Sequence, residues 1–221
     1  MSSKKTLENT IVLVLVQLVN LGLPLISLPY LARILGADNL GRVVFSLAVA
    51  QIFLVLSDYG FNLSATKEVA IYRNDVKKLY NIWIGVTIIR LIFSLIGFLV
   101  LLCLIFSVEK LNHNFWLCIF AYISVLGNII YPQWLFQGLE KLRYVSFIQI
   151  ISRIILFILL ILFVKNKNDV AIAVIIQSAG GLVAGLIIFP NIYILFKDCY
   201  KKLPSLQDIK GYLSAGWTFF I

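Results

Sequence analysis

The chain has 221 residues, 61% hydrophobic and only 13% charged, with a formal net charge of +9. At a mean hydropathy of +0.98 a soluble domain could not cover its surface with polar side chains, so a water-soluble globule is excluded. Apolar stretches long enough to cross a bilayer, about 20 residues each, follow one another along the chain, and the expected fold class is an all-α, polytopic helix bundle in a lipid bilayer.

Six spans are predicted: Asn9–Leu31, Leu40–Phe61, Leu79–Phe106, Phe115–Phe136, Tyr144–Val164 and Val170–Phe196. Lys4 and Lys5 ahead of "IVLVLVQLV" imitate a signal peptide. No small-residue cleavage site follows, so this stretch reads as an uncleaved first span. The connectors are too short to fold outside the membrane. After Lys202 the chain reads "LPSLQDIKGYLSAGWTFFI", and "YLSAGWTFFI" has the character of the first half of a seventh span. The expected organisation is a six-helix transmembrane lobe at 1–202, followed at 203–221 by a cytoplasmic connector and the truncated start of helix 7. On this reading the chain is a fragment, because a carboxylate terminus inside an apolar run would lie in hydrocarbon.

Lys and Arg give the orientation. The side of the N-terminus carries Lys4, Lys5, Lys67, Arg73, Lys77, Lys78, Lys141, Arg143, Lys197, Lys201, Lys202 and Lys210. The other side carries Arg33, Arg42, Lys110, Lys165 and Lys167. A cytoplasmic N-terminus follows. The positive charge reflects topology and gives no reason to invoke nucleic acid.

Polar residues within the spans fall in stripes at helical spacing. Span 1 has Gln17, Asn20, Pro24 and Ser27; span 2 has Gln51, Asp58 and Asn62. Span 3 has Thr87, Arg90, Ser94 and Gly97; span 5 has Ser146, Gln149 and Arg153. Hydroxyls and amides alone would serve as hydrogen-bonding glue between helices. The arginines ask for more. Counted from the cytoplasmic ends of their spans, Arg90 and Arg153 root roughly 14–17 Å deep. Each costs about 2.5–3.5 kcal/mol to insert at the midplane. Two such costs at one depth point to a wet cationic cavity, with an Arg–Asp58 ion pair as the competing explanation. The expected cavity residues are Arg90, Arg153, Asp58, Gln17, Asn20, Gln51, Asn62 and Gln149.

In "SDYGFNLSATKEVA", residues 57–70, no proline or turn cluster stops span 2. The helix is expected to run on because its polar face borders water, with Ser64, Thr66 and Lys67 at the cytoplasmic mouth and Gly60 allowing a bend. Pro24 and Pro29 are expected to kink span 1. Gly181 and Gly185 form a small-xxx-small packing face on span 6. Cys103 and Cys118 read as buried small hydrophobes, Cys199 as a free thiol in a basic loop, and His113 as solvated in a connector. No HExxH, GxSxG or P-loop occurs, so no catalytic residue, cofactor or metal site is assigned.

"PLISLPYLARILGADNLGRVVFSLAVAQIF", residues 24–53, followed by "SDYGFNLSATKEVA", resembles the start of a Wzx-type O-antigen or polysaccharide flippase, within the multidrug/oligosaccharidyl-lipid/polysaccharide exporter superfamily. The carrying elements are "PYLxRxLG" and "DYGFxxSAT[KR]xxA", with "YPQWLFQGLEKLRY", residues 131–144, as a third. The resemblance spans the chain and corresponds to the N-terminal half of such a protein. It implies two six-helix lobes around a central cavity, working by alternating access. It implies a polyprenyl-pyrophosphate-linked oligosaccharide as cargo, moved across the bacterial inner membrane. Polysaccharide polymerase and chain-length machinery are candidate partners. A drug or cation antiporter, a peptidoglycan-precursor flippase of the same superfamily and an inactive truncated product are the alternatives. An antiporter for cations would favour acidic cavity residues, and here the intramembrane arginines outnumber the acids.

Overall fold

The computed structural model describes residues 2–197, 199 and 204–220, with side chains described except at 2–13, 15, 16, 20, 206, 207 and 218–220. These residues form helices and no strand. In chain order they are α1 (Ser2–Leu35), α2 (Ala37–Asp58), α3 (Phe61–Ile71), α4 (Val76–Ser107), α5 (Glu109–His113) and α6 (Phe115–Ala121). There follow α7 (Ile123–Ile130), α8 (Gln133–Gly138), α9 (Leu142–Phe163), α10 (Val170–Ser178), α11 (Gly180–Phe196) and α12 (Leu206–Phe220). Five stretches are long and apolar enough to cross a membrane: Gln17–Leu35, Ala37–Ile71, Val76–Ser107, Phe115–Gly138 and Leu142–Phe163. The pair α10 and α11, bent by 40°, makes a sixth. The protein is a polytopic all-α membrane bundle.

The helix expected to run on through "SDYGFNLSATKEVA" stops instead at Asp58. Tyr59 (φ 46°, ψ 31°) and Gly60 (φ 77°, ψ 5°) are both left-handed, which breaks the right-handed path before α3 resumes it. Gly60 adopts this conformation without the Cβ clash that a side chain would bring. Tyr59 is held there by rings on three sides, with centroids of Phe93, Phe61 and Trp217 at 4.9, 5.7 and 6.1 Å. Span 4 is likewise not one helix. Pro132 cannot donate a backbone hydrogen bond and pushes Tyr131 out of the helical region (φ −98°, ψ 87°), so α7 ends and α8 begins anew. α8 closes with Glu140 left-handed (φ 59°), its N–H donating to the Gln137 carbonyl and that of Lys141 to the Phe136 carbonyl. α1, by contrast, holds Pro24 and Pro29 inside one continuous helix.

Span 6 bends at Ala179, beside Ser178 and the Gly180–Gly181 pair, a composition that weakens a helix locally. The displaced polar groups find partners. Ser178 Oγ donates to the Phe120 carbonyl (3.0 Å), and Ser152 Oγ to the Gly180 carbonyl (2.9 Å). Beyond the bend, α11 lies directly on α7. A Cβ at Gly181 would sit 2.5 Å from the carbonyl carbon of Gly127, and one at Gly185 would sit 2.6 Å from Ile130 Cγ2. The small residues therefore do what their spacing predicts, and let two backbones touch.

The interior has three apolar clusters. One, around Phe61, Trp134, Phe136 and Phe196, lies where α4 and α9 begin. A second, around Leu31, Val43, Leu160 and Val174, lies where α1 and α9 end. A third, around Phe53, Leu101 and Tyr122, joins α2, α4 and α6. Outward positions are apolar as well: Leu25, Phe106 and Leu186 are each more than 70% exposed. That pattern suits hydrocarbon surroundings and would be untenable in water. α12 packs on α3 and α4; a Cβ at Gly85 would meet the Tyr212 ring at 2.6 Å.

Candidate functional site

Between the first two apolar clusters lies a cavity of about 340 Å³, walled by α1, α7, α9, α10 and α11. Its polar lining includes Gln149 and Arg153 from α9, Asn128 from α7, Gln177 from α10 and Ser27 from α1, with Gln133 from the start of α8. Leu156, Phe157, Leu160 and Ile176 line the apolar side, and no carboxylate contributes. Arg153 is half-buried, and among the described residues it has no hydrogen-bond or ion-pair partner. An arginine keeps its charge at any physiological pH, so the cavity holds a fixed positive charge.

The hydroxyls here are engaged with backbone. Tyr131 donates to the Val145 carbonyl (3.1 Å), Ser152 to that of Gly180, and Ser27 to that of Pro24 (3.4 Å). The donors left for a ligand are therefore the guanidinium of Arg153 and the side-chain amides. Gln177 Nε2 is buried without a hydrogen-bond partner among the described residues, an uncommon state for a polar atom in a native interior.

Arg90 stands behind this cavity and does not line it. It is 1% exposed, among the most completely buried side chains described. Its Nη2 lies 3.3 Å from Asp58 Oδ1 and donates to Asn128 Oδ1. The intramembrane ion pair weighed as the competing explanation thus forms, and it sits at the last residue of α2, where the left-handed break begins. Asn128 connects the two arginines: it accepts from Arg90 on one side and borders the cavity of Arg153 on the other.

The remaining expected residues are dispersed. Gln149 lines the cavity, and so does Pro24. Gln17, Gln51 and Asn62 are exposed on the outside of the bundle and are not brought together with Arg153, and Pro29 is exposed as well. The side chain of Asn20 lies outside the described residues. At the expected mouth, Ser64 is buried and donates to the Gly60 carbonyl (3.2 Å). Thr66 donates to the Asn62 and Trp134 carbonyls (2.6 and 3.3 Å), while Lys67 is exposed. Cys103 is exposed and Cys118 buried. Asn128 and Gln177 were missed from sequence because the polar-stripe test was confined to spans 1, 2, 3 and 5. Applied to span 6, it finds Gln177, Gly181 and Gly185 at successive four-residue steps.

A polytopic helix bundle with a polar, positively charged cavity inside an apolar exterior is a membrane protein built to accommodate a polar group at membrane depth. The family model described as polysaccharide biosynthesis protein matches residues 6–221, and the chain belongs to that family. A relative from Escherichia coli (strain K12), bearing the name "Putative O-antigen transporter", is 34% identical over 216 residues, covering 97% of this chain and 51% of the relative. A Shigella dysenteriae protein with the same name is 30% identical over 218 residues, covering 97% of this chain and 53% of its own length. The chain thus spans about half the length of the curated relatives it matches. No solved structure matches it.

Proposed function

We propose that the intact protein is a flippase, not an enzyme: it moves a polyprenyl-pyrophosphate-linked oligosaccharide from the cytoplasmic to the periplasmic leaflet of a bacterial inner membrane, in O-antigen or related surface polysaccharide synthesis. Residues 1–202 form its N-terminal six-helix lobe, with the N-terminus in the cytoplasm, and 203–221 lead into helix 7. The observation that carries this reading is Arg153, a guanidinium without a partner among the described residues, in a cavity lined by amides and by no carboxylate among those residues. A pyrophosphate leaving the headgroup region needs charge-assisted hydrogen bonds, and Arg supplies them with directional donors. The names of the two relatives support the same direction. Transport would proceed by rocking of this lobe against a second one around the cargo. The polymerase and chain-length machinery remain candidate partners on the same grounds. A drug or cation antiporter is less well supported, because no acid is among the described lining residues and Asp58 is paired with Arg90.

The test is complementation of a flippase-null strain with the full-length gene. Wild type should restore surface polysaccharide, Arg153→Lys should restore part of it, and Arg153→Ala should lose at least tenfold. Full activity of Arg153→Ala would overturn the role of the cavity charge.

A further inference from the structure

We infer that Arg90 acts as a positioning residue that turns the Asn128 amide so that its NH₂ faces the cavity, and that Asn128, Gln177 and Arg153 together present the donors of a cationic site for a phosphate-type oxyanion. The inference rests on the proposed function for its biological setting, but its geometry stands apart from it.

The argument starts from the chemistry of the guanidinium. It carries only donors, so the Asn128 atom it meets is the carbonyl oxygen. The amide nitrogen then leaves on the other arm of the planar group, away from Arg90. Asn128 borders the cavity, Arg90 does not, and no other hydrogen bond to the Asn128 side chain exists among the described residues. The orientation of an Asn side chain is ordinarily a choice between two near-equal fits. Here the buried cation removes the choice. Asp58 Oδ1 lies 3.3 Å from the same Nη2, so the charge of Arg90 is compensated and does not itself enter the cavity.

Gln177 lines the same cavity and supplies the second donor, its Nε2, which is covered and without a partner among the described residues and reaches a ligand by a turn of the side-chain amide. The third is Arg153, charged and unpaired. Three donors on three helices, one of them charged, with no carboxylate among the described lining residues, suit an acceptor-only ligand. A phosphate or pyrophosphate fits this description, whether free or on a lipid carrier. A sugar carries no charge and makes no use of the fixed positive charge of Arg153.

The test uses purified full-length protein in detergent, with farnesyl pyrophosphate, inorganic pyrophosphate and farnesol as probes in titration calorimetry. Farnesyl pyrophosphate should bind, with farnesol at least tenfold weaker; competition by inorganic pyrophosphate shows whether the free anion suffices. Asn128→Asp keeps the acceptor for Arg90 but replaces the cavity-facing donor with an acceptor, and should weaken binding tenfold or more. Gln177→Glu should do the same. Gln177→Met, which removes a donor without adding charge, should weaken it threefold or more. Wild-type affinity in Asn128→Asp or in Gln177→Met overturns the site, as does farnesol binding as tightly as its pyrophosphate. If Asn128→Asp does not fold, the two Gln177 variants decide. Donor-dependent binding by a protein whose gene restores no polysaccharide would sink the proposed function and leave the site. Restored polysaccharide with variants that bind like wild type would do the reverse.

Discussion

Gly127 on α7 and Gly181 on α11 meet backbone to backbone: a Cβ on Gly181 would lie 2.5 Å from the Gly127 carbonyl carbon and 2.8 Å from the Asn128 nitrogen. No rotamer change can relieve a clash with backbone, so the helices must part. Gly181→Val should therefore destabilise the protein by about 1–3 kcal/mol, the usual cost of overpacking. It should also disturb the cavity, since Asn128 is the next residue along α7. A melting temperature in detergent equal to that of wild type would refute the contact.

Asp58 and Arg90 should be coupled in stability. Removing one partner of a buried pair strands the other charge, and Asp58→Ala should cost about 3 kcal/mol, the lower end of the range for such pairs, because the Asp58 side chain keeps 18% exposure. Arg90→Met alone should also destabilise. The double variant should recover most of the loss, because it leaves no uncompensated charge. Thermal melts of the three variants form the cycle; strict additivity would show that the two residues act independently.

The orientation is tested by single cysteines in a background lacking Cys103, Cys118 and Cys199. Asn74→Cys and Asn112→Cys both fall at exposed positions in connectors at opposite ends of α4. A membrane-impermeant maleimide applied to intact spheroplasts should label position 112 and spare position 74. The reverse pattern would invert the lobe.

Asp169 closes the connector between α9 and α10, where its Oδ2 accepts from the backbone N–H of Lys165 (2.9 Å) and of Asn166 (2.8 Å). These bonds hold its carboxyl below the ordinary value of 3.8. A depressed folded-state pKa contributes stability that is fully present above the unfolded value and lost as pH falls through the folded one. The turn should thus be intact at neutral pH and open only below about 3.8. Asp169→Ala should open it at pH 7 and speed trypsin cleavage after Lys165 and Lys167 severalfold. Equal cleavage rates would show that the carboxylate does not hold the turn.

The sequence by itself determined the solvent and the succession of apolar crossings. Hydropathy and length are one-dimensional properties, and a membrane leaves few ways to satisfy a backbone. It also determined the contact face of α11, because Gly spaced by four admits a neighbouring backbone wherever the partner lies. Only the tertiary structure decided which polar residues meet. Stripe analysis assigns each residue a face on its own helix but cannot say which helix lies opposite. Arg90 and Arg153 fall at similar positions along their spans in the sequence, yet one is spent on Asp58 and the other lines a cavity. The break at Tyr59–Gly60 was hidden for a related reason. A left-handed tyrosine is unfavourable locally and persists because Phe61, Phe93 and Trp217, from three separate helices, surround its ring.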